Sequence, residues 1–186
     1  MSDVNRLTTA PAVPGYSSTA RLLHWLTAVI VIGLVLVGLV MTNMPSGPTQ
    51  NLLFNLHRST GVVLLPIILF RLAYRLSHPP PPLPADIPAL QRMAAEGMHW
   101  TLYALLVVQP IIGWVATSAY RAPIVVFWLF ELPPIAAENR AFSEQAFAVH
   151  RVIGILLAFL ITAHAAAALF HHFVRKDQVL LRMVRG

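Results

Sequence analysis

The sequence predicts an all-α membrane protein, a bundle of four transmembrane helices with both termini in the cytoplasm, and three observations lead there. The 186 residues are 57% hydrophobic and only 11% charged, with a mean hydropathy of +0.68, whereas soluble domains carry about 25% charged residues. Four apolar stretches are each long enough to cross a hydrocarbon core of about 30 Å at about 1.5 Å per residue. The cationic residues sit at the ends of those stretches, and most fall on one side.

Residues 1–20 read as a polar cytosolic tail containing Pro11, Pro14 and Gly15, and residues 21–186 as the four-helix domain. The first span covers about 22–44; no Asp, Glu, Lys or Arg occurs between Arg21 and Arg58. Its apolar run is too long for a signal-peptide core and lacks a cleavage signal, so it reads as a retained helix. After the turn MPSGPTQN the second span covers about 52–75. It contains Pro66, which a membrane helix tolerates when neighbours satisfy the freed carbonyl. SHPPPPLPADIP, residues 77–88, is a stiff extended connector. The third span covers about 98–120. The following loop holds VVFWLF, too short to cross and rich in aromatics, hence interfacial, and the polar AAENRAFSEQ. The fourth span covers about 148–174. Trp25, Trp100 and Trp128 read as interfacial belt residues.

Four spans place both termini on one side. That side collects Arg6, Arg21, Arg71, Arg75, Arg92, Arg175, Lys176, Arg182 and Arg185; the other collects Arg58, Arg121, Arg140 and Arg151. The larger cationic set marks the cytoplasmic face. The net charge of +6 therefore belongs to membrane orientation rather than to nucleic-acid binding. Without cysteine the chain has no disulfide, thiolate zinc site, iron–sulfur cluster or covalent haem attachment.

The chemistry lies in the histidines. An ionisable side chain within a membrane is costly and is read first as functional. The last span carries His150 and His164, fourteen residues apart, which on a helix puts both on one face separated by about 21 Å. One helix thus offers imidazoles at two depths, suited to two stacked haems that each reach a histidine on another helix. Span two opens HRSTGVVLL and span four HRVIGILL. Both place a glycine one turn deeper than the histidine, so Gly61 and Gly154 leave room for a flat macrocycle, while Arg58 and Arg151 lie where propionates need cations. His57 and His150 therefore pair on an outer haem. For the inner one His164 pairs with His24 first and His99 second, although His171 matches His24 better in depth. Single histidines also serve as helix–helix hydrogen-bond partners or interfacial anchors, the competing reading for His99, His171 and His172. The glycines compete as close-packing sites. A metal-transport site needs carboxylates among the histidines, and no Asp or Glu falls inside a span.

RLLHW opening span one, HRSTG opening span two, and HRVIG with TAHAAAALFHHFVRKDQVLLRM closing the chain resemble the bacterial cytochrome b561 family over nearly everything from Arg21. The resemblance implies a bacterial inner-membrane protein with two bis-histidine haems b, carried by His24, His57, His150 and His164. It also implies superoxide:ubiquinone oxidoreduction, electrons entering from superoxide at the periplasmic face and leaving to quinone in the membrane. On that expectation Arg58, Arg121 and Arg151, with Arg140, steer the superoxide anion, and His99, His171 and His172, with Arg71 and Trp100, line a quinone site. The alternative from another class is a non-catalytic relay subunit that anchors a dehydrogenase or hydrogenase to the quinone pool.

Overall fold

The computed structural model describes residues 15–84 and 86–186; residues 1–14 of the expected tail, Arg6 among them, and Ala85 of the connector lie outside the described residues. Helices α1 (Ser18–Thr42), α2 (Pro48–Ser77), α3 (Ala89–Tyr120) and α4 (Arg140–Phe170) are joined by a short hairpin between α3 and α4, β1 (Ile124–Val126) and β2 (Phe130–Leu132). A π-helical turn, His171–Arg175, extends α4, and a last turn, α5 (Leu181–Val184), ends the chain. All four long helices are long and apolar enough to cross a membrane.

Local chemistry sets the helix ends. Ser17 caps α1, its hydroxyl accepting from the Ala20 amide at 3.2 Å, and Asn139 caps α4 by accepting from the Phe142 amide at 3.0 Å, each satisfying an amide the helix leaves unpaired. Proline begins α2 and precedes α3, where its missing N–H costs nothing.

Each helix is longer than its predicted span. Residues 89–97, left between the connector and the third span, and 140–147, placed before the fourth span, are helical. Hydrophobicity marks where a helix meets lipid, whereas Arg92, Glu96, Arg140 and Glu144 end the apolar stretch without ending the helix. The aromatic loop is a two-stranded hairpin with Val126 paired to Phe130. Phe127 and Trp128 occupy its turn at positive φ (45° and 61°), a conformation that disfavours bulky residues, with Leu129 80% exposed at the tip.

Each long helix packs on its sequence neighbours, α1 on α2, α2 on α3 and α3 on α4, and α4 closes more lightly against α1. The core has a seven-residue logic. Val31, Leu64, Leu106 and Leu157 are all buried in one cluster with Ile68, and each lies seven residues after a histidine: His24, His57, His99 and His150. Seven residues are nearly two turns, so each stays on its histidine's face about 10 Å along the helix. A further seven residues reach Gly38, Arg71, Gly113 and His164. Because neighbouring helices are antiparallel, these become three layers. The hairpin-end layer holds Gly38, His57, Gly113 and His150; the middle is aliphatic; the layer toward the chain termini holds His24, Arg71, His99 and His164. Outside, Val29, Phe159 and Phe173 are about two-thirds exposed, a lipid-facing surface.

The tail folds back over the terminal end. Tyr16 N–H donates to Arg182 O at 3.2 Å, Trp25 Nε1 to Met183 O at 3.1 Å, and Arg182 Nη1 to Pro82 O at 2.9 Å. Asp177 ties the turn, accepting from Val179 N at 3.0 Å and Arg175 Nε at 3.2 Å and pairing with His171 Nδ1 at 2.5 Å. Arg175 also reaches Asp86 at 2.8 Å. Burial alone raises the Asp177 pKa, but His171, the Val179 amide and Arg175 together hold it below the ordinary carboxylate value.

Candidate functional site

At the hairpin end the rings of His57 and His150 have centroids 6.2 Å apart. His150 is held from α3: its Nδ1 lies 3.1 Å from the Gln109 carbonyl, to which only a protonated nitrogen can bond, and the Gln109 amide donates back to the His150 carbonyl at 2.8 Å. Its neutral ring therefore keeps the Nε2 lone pair free for a metal. His57 Nδ1 is likewise buried and faces the main chain of Leu34, the same ladder position in the other half, without full hydrogen-bond geometry. Glycine backs both rings: a Cβ on Gly38 lies 3.4 Å from His57 Cε1 and one on Gly113 lies 3.1 Å from His150 Cε1.

Toward the termini His24 and His164 also stand 6.2 Å apart, and His99 is 5.1 Å from His164. His99 Nδ1 donates to Ala95 O at 2.6 Å. Arg71 donates to His24 Nδ1 at 2.8 Å, so that nitrogen is the unprotonated one. Arg71 lies over the Tyr103 ring at 5.2 Å and forms no carboxylate ion pair among the described residues. His24, Arg71, Arg75, His99, Tyr103 and Met183 line part of a cavity of about 40 Å³, room for small groups only.

These residues fit bis-histidine haem. An iron held by two imidazole nitrogens at about 2 Å each, with about 1 Å more to each ring centre, separates the centres by about 6 Å. Both pairs have that separation, and at the terminal pair the fit requires Arg71 to release His24 Nδ1, because a ring that accepts there carries its proton on Nε2. The 5.1 Å between His99 and His164 is too short for an iron between them. A half-buried arginine without an acidic partner matches a haem propionate, and Gly38 and Gly113 leave bare backbone on α1 and α3 beside the His57 and His150 rings.

The other expected site residues are distributed less evenly. A Cβ on Gly61 meets no atom within 4 Å, but one on Gly154 lies 3.3 Å from Gln109 Nε2. Arg58 is engaged in hydrogen bonds to Pro123 O at 3.0 Å, Phe54 O at 3.2 Å and Asn55 Oδ1 at 2.7 Å, which fasten the hairpin to α2. Arg121 pairs with Glu138 at 3.4 Å and Arg140 with Glu144 at 3.1 Å. Arg151 is exposed and in no ion pair among the described residues. His171 is drawn into the Asp177 contact, and His172 meets Phe173 edge-on at 4.8 Å; neither lines the cavity of His24, Arg71 and His99. Trp100 is reached by Arg75, 5.8 Å above its ring. Sequence reasoning missed Gln109 altogether. The seven-residue ladder was the available signal, since it aligns α1–α2 with α3–α4 through two His-Trp and two His-Arg-x-x-Gly segments and leaves Gln109 opposite a leucine in the other half.

The sequence from residue 15 to 186 matches the family described as prokaryotic cytochrome b561. The chain is 35% identical to cytochrome b561 homolog 2 of Escherichia coli K12 over 91% of its own length and 90% of that protein's. It is 31% identical to cytochrome b561 homolog 1 of the same organism, over 91% and 96%. It is 30% identical to a probable superoxide oxidase, CybB, of Yersinia pestis, over 91% and 95%.

Proposed function

The chain belongs to the prokaryotic cytochrome b561 family of haem b-binding membrane electron-transfer proteins, and from that premise we propose that it is a superoxide:quinone oxidoreductase with two haems b. The observation that carries the reading is the pair of histidine couples, each with ring centres 6.2 Å apart, on opposite sides of a buried aliphatic layer. Haem b, when bound, supplies one-electron redox chemistry.

The residues have separate tasks. His57 and His150 would hold one haem and His24 and His164 the other, with Arg71, the cation beside His24, as the partner for a propionate. The aliphatic layer excludes water between them. The hairpin end faces the periplasm and the termini the cytoplasm, across the bacterial inner membrane. At the hairpin end Arg151, left without a carboxylate, attracts the superoxide anion; Arg121 and Arg140 are largely neutralised by their glutamates, and Arg58 is committed to the hairpin. Near the cytoplasmic end ubiquinone meets the region of His99 and Arg71, whose cavity Met183 also lines; His171 and His172, outside that cavity, are the candidates to pass protons from the cytoplasm. Two superoxide ions each give up one electron and leave as dioxygen, and one quinone takes two electrons and two protons to become quinol.

The test mixes oxidised protein with a superoxide source, with and without ubiquinone. The expected result is haem reduction without quinone and, with it, one quinol for two superoxide consumed. Haems that stay oxidised under superoxide but are reduced by quinol defeat this reading and leave the chain as a relay subunit for a soluble dehydrogenase or hydrogenase.

A further inference from the structure

We propose that His78 is the proton-relay residue of the terminal end, loading protons from the cytoplasm and releasing them into the cavity beside His24, Arg71 and His99, in place of His171 and His172. The inference rests on the quinone-reduction reading above and deepens it by naming the group that supplies the protons.

A quinone that takes two electrons must also take two protons, and the cavity is a polar route to it from the terminal end. Its volume of about 40 Å³ is room for about two or three water molecules. Three of the chain's four tyrosines line it together with Arg71 and Arg75, and give such waters partners. Among the described residues no carboxylate lines it. Tyrosine and arginine keep their protons near neutral pH, so the carriers left are its histidines, His24, His78 and His99. His24 belongs to the iron-binding pair. His99 is half-buried, with Nδ1 donated to Ala95 O at 2.6 Å. Of the three only His78 is exposed to solvent. His171 and His172 do not line the cavity, and His171 is committed to Asp177.

A histidine at an exposed helix end is ordinarily free to swing, but this one is held. Its ring stacks on Tyr74 with centroids 4.1 Å apart and planes 5° apart, and the Tyr74 hydroxyl is itself bonded to Ser17 Oγ at 2.9 Å. His78 Nδ1 lies 2.9 Å from Ser77 Oγ and 3.3 Å from the Tyr74 carbonyl, which can only accept. In the neutral ring Nδ1 therefore carries the proton and Nε2 the lone pair. Nε2 bonds no group among the described residues, so it is the nitrogen left to exchange with water. In one cycle Nε2 takes a proton from bulk water and gives it to a cavity water, which passes it on to the quinone. Two such transfers, with two electrons, convert one quinone to one quinol, and His78 ends as it began.

The test uses the full-length, haem-loaded protein in detergent, reduced with stoichiometric dithionite and mixed with a short-chain ubiquinone in stopped flow. Haem oxidation and the colour of a pH indicator are recorded together. Wild type is expected to take up two protons per quinone. His78→Gln is expected to keep the wild-type haem content and reduced spectrum, while haem oxidation and proton uptake slow by about a hundredfold and recover when imidazole is added. His172→Gln is expected to match wild type. An unchanged rate in His78→Gln overturns the inference, and so does an equal loss in His172→Gln. A slowing that imidazole does not relieve also overturns it, because it assigns the ring to packing the end of α2. Wild-type protein that quinone does not oxidise defeats the parent reading and the inference together, whereas oxidation that is fast in both wild type and His78→Gln defeats the inference alone.

Discussion

Replacing Gly113 with alanine tests the hairpin-end geometry most directly. The new Cβ starts 3.1 Å from His150 Cε1, 3.3 Å from Nδ1 and 3.9 Å from Nε2. Carbon atoms rest at about 3.5–4.0 Å, so the ring must retreat from α3 by about 0.4 Å or more. His150 bonds to that same helix through Nδ1, and the 3.1 Å contact to Gln109 O stretches to its limit. A net hydrogen bond contributes about 1 kcal/mol, so one haem is expected to leave about fivefold faster, before any steric cost. Gly38→Ala meets His57 at 3.4 Å, an ordinary contact, and should keep both haems. Gly33→Ala meets nothing within 4 Å and is the control. Reduced-minus-oxidised spectra and haem per chain after detergent washing give the measurement. Wild-type retention in Gly113→Ala, or equal losses in all three variants, refutes the reasoning.

Four further outcomes follow from the same geometry. His24→Ala should leave one haem per chain and His99→Ala two, because only the 6.2 Å pair accommodates an iron; haem quantitation decides, and the reverse result transfers the ligand role to His99. Ser59, 1% exposed, donates to Val125 O at 3.2 Å and accepts from Phe127 N at 2.9 Å, so Ser59→Ala should cost about 1–3 kcal/mol and speed proteolysis at the hairpin tip, read by thermal unfolding and cleavage near Leu129. The Asp177 carboxyl is held below its ordinary pKa of 3.8, so its stabilisation of the C-terminal turn is fully present above that value and is lost only as pH falls through the lower folded value; hydrogen exchange of residues 179–184 should stay protected from neutral pH to about 4, and Asp177→Asn should raise it throughout. Arg151→Gln should slow the superoxide reaction and flatten its ionic-strength dependence, measured by stopped flow, whereas Arg140→Gln should change both less.

The crossing helices and the two histidine levels were legible in the sequence because lipid imposes length and apolarity and because helical repeat fixes depth. His57 and His150 were paired by a shared motif and His164 by its fourteen-residue interval from His150, whereas His24 as its partner, ahead of His99, rested on depth and the family resemblance; both pairs stand 6.2 Å apart in the structure. What stayed hidden depended on contacts between segments. Arg58 looked like a free cation, but hydrogen bonds to Pro123, Phe54 and Asn55 occupy it. His171 looked like a membrane histidine and instead closes a turn with Asp177, six residues on. The hairpin could not be read from VVFWLF, since Phe127 and Trp128 take a turn conformation usually given to glycine or asparagine. Gln109 carried no motif, and its meaning appears only when α3 is laid against α4.

The middle layer gives the arrangement its direction. Val31, Leu64, Leu106 and Leu157 present nothing that binds a proton, and the buried hydroxyl of Thr27, one turn before Val31, is tied to its own helix through Leu23 O at 2.6 Å. A proton has no relay across about 10 Å of aliphatic packing on either side of these residues, whereas an electron needs none. Under the proposed reaction, charge crosses the bundle as electrons entering from the hairpin end, while the protons for quinol come from the end of His99 and Arg71. Each quinone reduced therefore moves two negative charges toward the termini and consumes two protons there. That makes the reaction electrogenic, negative on the side of the termini, and the sign follows from four aliphatic side chains rather than from the redox groups themselves.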